Sequence, residues 1–253
     1  MDFTRALVTG ASSGIGRAMA LQLADAGTAL VVVARDEQRL NELAAEVDVE
    51  CEVLGADLAD PVAVERVAER LAATDDAIDL LVNNAGFGVT GKVGDQPVGS
   101  QQGMIDVNVS ALVHLSHAAA IAMADRSKGQ ILNVSSVAGW LVAPTSATYA
   151  ASKAFVTSFS QSLHEELQGS GVGVACLCPG LTRTEFQDRA EFDTSQLPDL
   201  LWQSAEAVAT AGLKAAARNR AIEIPGALNK GTIGATQLMP RSLVRKLGSL
   251  LGD

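Results

Sequence analysis

A short apolar segment, Arg5–Thr9, runs straight into TGASSGIG, and helical periodicity follows from Ile15 to Ala26 until Gly27 stops it. Gly10, Gly14 and Gly16 thus fall in a turn between a strand and a helix. Small residues there let backbone N–H groups approach a pyrophosphate, and the helix N-terminus adds a partial positive charge. Gly16 also lets helix and strand pack closely. Ser12, Ser13 and Ile15 belong to the same turn. Three glycines alone are a weak signal. The strand before them and the helix after them are what a phosphate cradle requires.

The alternation then continues down the chain. Ala29–Ala34 reads as a buried strand, Glu37–Val47 as an amphipathic helix and Glu50–Leu54 as a third strand. Asp60-Pro61 opens the next helix with a cap and a proline suited to the first turn. Further strands are expected at Ile78–Val82, Gln130–Val134, Val172–Cys178 and Ala221–Ile224, with helices at Gln101–Ala124, Tyr149–Gln168 and Ala205–Arg218. Apolar residues make up 48% of 253, yet tyrosine and tryptophan are scarce, so the core is Val, Leu, Ile and Ala. That composition suits parallel strands covered by helices. The expected fold is α/β: a Rossmann-type, doubly wound parallel sheet of about seven strands with helices on both faces. No linker or repeat divides the chain, so residues 1–253 are expected to form one domain. Two regions break the alternation: Thr182–Leu201, expected to be a loop over the site within a substrate lid near 182–204, and the tail 226–253. In that tail a basic amphipathic helix would gather Leu243, Leu247 and Leu250, for packing, oligomerisation or contact with an acidic membrane.

A net charge of −10 argues against nucleic acid as a partner, while leaving room for one cationic pocket. Cys51, Cys176 and Cys178 are too few and odd in number for a disulfide framework. With no signal-peptide core at the start and no apolar run near the roughly 18–20 residues of a spanning helix, a cytoplasmic protein without an integral membrane segment is expected. His114 and His117 lack ligand partners, so no metal site is expected. Cys176 and Cys178 should point to one face of their strand.

Tyr149, the only tyrosine, stands four residues before Lys153 in YAASK. On a helix those positions share a face, and a nearby ammonium favours phenolate. Ser135 and Ser136 precede them in NVSSVAG, Asn108 lies in DVNVS, NNAG spans Asn83–Gly86, and PGLTRT contains Pro179, Gly180, Thr182 and Thr184. In this order, with the glycine spacing GxxxGxG, the chain resembles the short-chain dehydrogenase/reductase family in its compact branch of about 250 residues, and nearly the whole chain is covered.

The resemblance implies an oxidoreductase that moves hydride between a nicotinamide coenzyme and a carbonyl or secondary alcohol. Tyr149 would be the acid/base, Lys153 its tuner and ribose ligand, and Ser136, 13 residues before Tyr149, the oxygen-binding hydroxyl; Ser135 would bond locally. Asn108 would hold a water near the lysine from a helix kink. Asp57 and Leu58 would meet the adenine, Asn84, Ala85 and Gly86 would line the coenzyme, and Pro179, Gly180, Thr182 and Thr184 would hold the nicotinamide carboxamide. At the end of the second strand Ala34 replaces the acid of NAD enzymes, and Arg35 follows it. A guanidinium suits a 2′-phosphate, so NADPH is preferred and NAD remains possible, with Arg17 assisting; in the opposing reading Asp36 or Glu37 serves the ribose. The expected substrate is a small, apolar carbonyl or alcohol, with Trp140, Val142 and Phe87 about it, while Trp202 packs the lid. A homodimer or homotetramer through the two long helices is expected by the same resemblance. The competing reading is a silent NADP(H)-binding sensor or interaction protein.

Overall fold

The computed structural model describes residues 3–190 and 198–250. Six strands with apolar, β-branched sequences pair in parallel: β1 (Arg5–Thr9), β2 (Ala29–Ala34), β3 (Cys51–Gly55), β4 (Leu80–Asn83), β5 (Gly129–Val134) and β6 (Val172–Leu177). A two-residue edge strand, β9 (Ile222–Glu223), completes a seven-stranded sheet in the order β3-β2-β1-β4-β5-β6-β9. Register follows the first pair, Arg5 opposite Ala29 through Thr9 opposite Val33. The winding reverses direction between β1 and β4. At such a switch point the carboxyl ends of the strands open a crevice.

Helices cover both faces because each strand is buried on both. On one face α1 (Gly14–Asp25), α2 (Glu37–Glu46) and α8 (Ala205–Ala217) bury Met19, Leu23, Leu40, Leu43 and Leu213. On the other, α3 (Pro61–Ala72), α5 (Leu112–Asp125) and α6 (Ala147–Glu166) meet Leu81, Ile131 and Val174. Caps follow the sequence: Asp60 accepts from Val62 N at 3.0 Å, and Asp36 accepts from Arg39 N at 3.1 Å. Gly27 ends the first helical segment with φ +80°.

The expected helix Gln101–Ala124 is longer and irregular. α4 (Val98–Ile105) runs into a π-helical turn, Asp106–Ala111, and then into α5. Taken together, Val98–Asp125 is by length and composition apolar enough to cross a membrane, with mean hydropathy 1.4 over an 18-residue stretch of it, contrary to the expectation that no segment would be. Its Leu112, Leu115, Ala119 and Met123 are buried in the core between sheet and neighbouring helices, as in a core helix.

The segment after β6 is less irregular than expected. β7 (Thr182–Arg183) pairs with β8 (Gln203–Ser204), and a short α7 (Phe186–Arg189) lies between them; the part of the expected lid at 191–197 is outside the described residues. The tail forms two helices, α9 (Ala227–Leu238) and α10 (Arg241–Leu250). Leu243 is exposed, and the side chains of Leu247 and Leu250 lie outside the described residues.

Candidate active site

The glycine turn is fastened from below by a residue the sequence reading passed over. Thr9 Oγ1 accepts from the backbone N–H groups of Asn84 and Ala85, each at 3.0 Å, and donates to Val82 O at 3.2 Å. Asn84 Nδ2 donates to Thr9 O at 2.9 Å and Gly10 O at 3.3 Å. Gly10 and Gly14 have φ of +66° and +55°. A Cβ on Gly16 would stand 2.3 Å from Gly10 O and 2.4 Å from Asn84 Nδ2, so the turn closes only on glycine. Ser13 caps α1 with no side-chain bond, leaving the first N–H groups of the helix free of such a cap; Ser12, half-buried, precedes it, and Ile15 packs on the core. The cradle a dinucleotide phosphate needs is therefore present in shape and in donors.

At the adenosine end, Arg35 is exposed and makes no ion pair among the described residues. Arg17 does not join it: it pairs with Glu46 on α2. Asp36 is engaged by Arg39, and the carboxylate of Glu37 folds onto Gly55, where any Cβ would collide with it. Asp57, exposed, accepts from Ala59 N at 3.0 Å, while Leu58 beside it is buried.

α6 carries the central groups. Tyr149 is half-buried, and Lys153 lies one turn on with Nζ 5.8 Å from the Tyr149 ring centroid. Nζ donates to Val134 O at 3.0 Å, and burial pushes the ammonium down to about 8, opposed by the nearby Cys176 and Cys178 thiols. Burial likewise pushes the Tyr149 phenol up to about 12, opposed by a hydrogen bond with Ser136. The expectation that the lysine lowers the phenol is not met in the protein alone: burial has the larger effect, and what opposes it is Ser136. Ser136 itself caps a 3-10 turn, accepting from Ala138 N at 3.1 Å, and lies 3.5 Å from Pro179 O. Contrary to the expectation of a local bond, Ser135 bonds to a distant helix. Its Oγ donates to Lys153 O at 2.7 Å and meets Thr157 Oγ1 at 2.7 Å, tying β5 to α6.

Asn108 is fully buried in the π turn. Its Oδ1 accepts from Phe87 N at 3.0 Å, and its Nδ2 donates to Phe87 O at 2.9 Å and Ser152 Oγ at 3.1 Å. A Cβ on Gly86 would strike Asn108 Oδ1 at 2.9 Å and crowd Lys153 Nζ at 3.3 Å, so Gly86 and Ala85 lead the chain closely past both groups. A buried ladder beneath, Asn83 Nδ2 to Asn133 Oδ1 at 2.9 Å and Asn133 Nδ2 to Ser160 Oγ at 3.0 Å, locks the two central strands to α6.

The segment after β6 closes the far side. Pro179 O accepts from Val137 N at 2.9 Å. Thr182, buried, donates to Gly180 O at 3.0 Å, and a Cβ on Gly180 would meet Asn229 of α9 at 2.4 Å. Thr184 lies against Gly14, with Cγ2 3.1 Å from where a Cβ on that glycine would be, and accepts from Phe186 N at 3.2 Å at the start of α7. Phe186 packs on Tyr149 with ring centroids 5.5 Å apart. Trp140 differs from expectation. It lines a cleft of about 360 Å³ with Ala154, Thr157, Ser158 and Gln161, a face of α6 roughly 110° round from the direction midway between Tyr149 and Lys153 at 100° per residue. Trp202 packs under Arg183, 5.5 Å from its ring. Cys176 and Cys178 do share a face, with sulfurs 3.9 Å apart, and His114 pairs with Glu65 at 3.0 Å.

Such an arrangement can bind a dinucleotide along the carboxyl ends of the strands and set a phenol, a hydroxyl and an ammonium at one end of it. The description short chain dehydrogenase matches residues 4–194. Sulfoacetaldehyde reductase 2 of Chromohalobacter salexigens is 41% identical over 184 residues, 71% of this chain and 73% of its own. The structure of a short-chain dehydrogenase from Sphingobium yanoikuyae in complex with NADPH superposes with TM-score 0.83 at 35% identity, covering 93% of this chain and 96% of its own. A bulky-bulky ketone specific alcohol dehydrogenase from Comamonas testosteroni does so with TM-score 0.78 at 32% identity, covering 95% and 96%. The chain belongs to the short chain dehydrogenase family and is an oxidoreductase of the CH–OH and C=O pair.

Proposed function

We propose that the protein reduces an apolar carbonyl with NADPH, using Tyr149 as the proton donor. The observation that carries this reading is the grouping of Tyr149, Ser136 and Lys153 beside Gly86, at the mouth of a glycine cradle closed by Thr9 and Asn84.

NADP(H) suits the chain's own residues. Gly10, Ser12, Ser13, Gly14, Ile15 and Gly16 would take the pyrophosphate, Asp57 and Leu58 the adenine, and Asn84, Ala85 and Gly86 the ribose side. Lys153 would hold the nicotinamide ribose, and Pro179, Gly180, Thr182 and Thr184 the carboxamide. Arg35, exposed and without an ion-pair partner among the described residues, would meet the 2′-phosphate. When bound, the reduced nicotinamide supplies the hydride.

The protein's residues supply the rest. Ser136 donates a hydrogen bond to the substrate oxygen as negative charge gathers there. Tyr149 gives its proton to that oxygen; a phenol raised to about 12 is fully protonated near neutral pH, which suits reduction. Lys153 steadies the phenolate that results. Asn108, with its side chain engaged by Phe87 and Ser152, keeps its backbone in the π turn, where its carbonyl would hold a water for proton resupply. Phe87 and Phe186 make the wall that favours an apolar substituent on the carbonyl. Association of chains through the outer faces of α5 and α6, where Ile121 and Phe155 are exposed, belongs to the same proposal.

The test is NADPH oxidation against a panel of aldehydes and ketones graded by size and polarity. Turnover rising with apolar bulk supports the reading. NADPH binding without turnover of any member would make the protein a silent binder.

A further inference from the structure

Three consecutive residues after β6 reach three separate parts of the candidate site. Thr184 touches Gly14 in the glycine turn, with its Cγ2 3.1 Å from where a Gly14 Cβ would be. Glu185 accepts from Arg39 of α2 through a single nitrogen, Nη1, which stands 2.9 Å from each carboxylate oxygen. Phe186 lies on Tyr149. The sheet order puts four strand intervals between β2, which leads into α2, and β6. At about 4.8 Å per interval the Arg39–Glu185 pair must close a gap of roughly 19 Å across the carboxyl ends of β1, β4 and β5. Those are the strands whose ends carry the glycine turn, Asn84 and Ser136.

Arg39 and Glu185 are each flanked by a further ion: Asp36 Oδ2 lies 3.5 Å from Arg39 Nε, and Arg189 of α7 donates to Glu185. The four charges alternate in sign from the start of α2 to the end of α7. A single exposed ion pair contributes little, whereas several charges joined in a network hold one another in place. Arg39 lies in the first turn of α2, the helix that opens just after Arg35, so the fastening starts from the element next to the proposed 2′-phosphate site.

We propose that Arg39 and Glu185 are positioning residues: their ion pair straps the Thr184–Phe186 segment across the coenzyme crevice and so seats Phe186 on Tyr149. Through this contact the adenosine end of the crevice fixes the shape of the carbonyl pocket. The strap acts on pocket geometry, while the chemistry stays with the groups on α6. Its kinetic consequence rests on Tyr149 being the acid; its structural consequence does not.

Because Tyr149 is the only tyrosine, full-length protein grown with 3-fluorotyrosine gives a single fluorine resonance that reports on the Phe186 ring. Phe186→Leu should move that resonance. Glu185→Gln and Arg39→Gln should each move it part of the way in the same direction, and the double variant no further than either single one. Raising NaCl from about 0.05 to about 1 M should move the unsubstituted protein toward the Glu185→Gln position and leave Glu185→Gln itself in place, since salt screens an exposed pair. In turnover, each single variant should raise KM for a bulky apolar carbonyl roughly two- to fivefold, with the double variant no worse. A resonance that ignores Glu185→Gln and Arg39→Gln while answering Phe186→Leu overturns the strap. So does a resonance indifferent to Phe186→Leu, or a double variant whose effects multiply. The expected fluorine pattern with turnover unchanged in every variant would instead count against the Tyr149 reading and leave the strap standing.

Discussion

Asn108 Nδ2 donates to Ser152 Oγ at 3.1 Å, and that hydroxyl donates in turn to the carbonyl oxygen of Tyr149 at 2.7 Å. The π turn is thus joined to the first turn of α6 by two side chains, neither of which needs to touch a substrate. Asn108→Ala should leave Phe87 N–H and Phe87 O without these partners and remove the hydrogen bond that Ser152 Oγ accepts, while its bond to Tyr149 O stays. A loss of about 1–3 kcal/mol is expected, seen as a fall of several degrees in Tm. Ser152→Ala should lower kcat more than it raises KM for NADPH, because it frees the register of Tyr149 and leaves the glycine cradle intact. Equal losses in both constants would contradict this.

The sign of the pH response follows from Lys153. With its pKa pushed down to about 8 by burial, the group is an ammonium below that pH and an amine above it. Carbonyl reduction should therefore fall as pH rises through about 8, while Tyr149, raised to about 12, stays a phenol across that window. Stability runs the other way. Between about 8 and the ordinary lysine value of 10.5 the unfolded chain binds more protons than the folded one, so stability increases with pH there. Lys153→Met should abolish both trends, measured as kcat/KM and as denaturant midpoint against pH.

Coenzyme preference is expected to follow Arg35. Arg35→Asp should lower kcat/KM for NADPH by about tenfold or more and leave NADH unchanged or improved, since a carboxylate repels the 2′-phosphate and accepts from a ribose hydroxyl. An unchanged NADPH/NADH ratio would reject the assignment. Arg17, held by Glu46, should matter little: Arg17→Gln is expected to shift the ratio less than twofold.

The glycine cradle makes a contrast between two substitutions. Gly16→Ala places a methyl 2.3 Å from Gly10 O, so the turn must open; NADPH affinity is expected to drop at least about tenfold and Tm to fall. Gly99→Ala, with nothing within 4 Å, should leave affinity intact and raise stability slightly. Calorimetric titration and thermal melts on both variants check this.

Much of the fold was legible because it rests on local patterns. The strand Ala29–Ala34 reads directly from its β-branched run, and the Asp60-Pro61 start reads from capping chemistry. The π turn was legible only as the kink that the resemblance implied at Asn108: its residues, DVNVSA, continue an apolar helical pattern, and the bulge is stabilised by the distant partners Phe87 and Ser152. Thr9, Asn229 and Glu185 were missed for a related reason. Each is an ordinary residue by type and gains its place only through contacts far along the chain. Trp140 was assigned to the wrong surface because its distance in sequence from Ser136 says nothing of which side of α6 the indole meets. The lowered Tyr149 pKa expected from Lys153 failed because spacing reveals a neighbouring charge but not the desolvation that opposes it.

The most direct measurement is single-turnover reduction by Tyr149→Phe, with NADPH binding to the same protein followed by calorimetry. The account predicts NADPH affinity within about threefold of the unsubstituted protein and a rate of reduction lower by at least about a thousandfold. Reduction at an undiminished rate would contradict it.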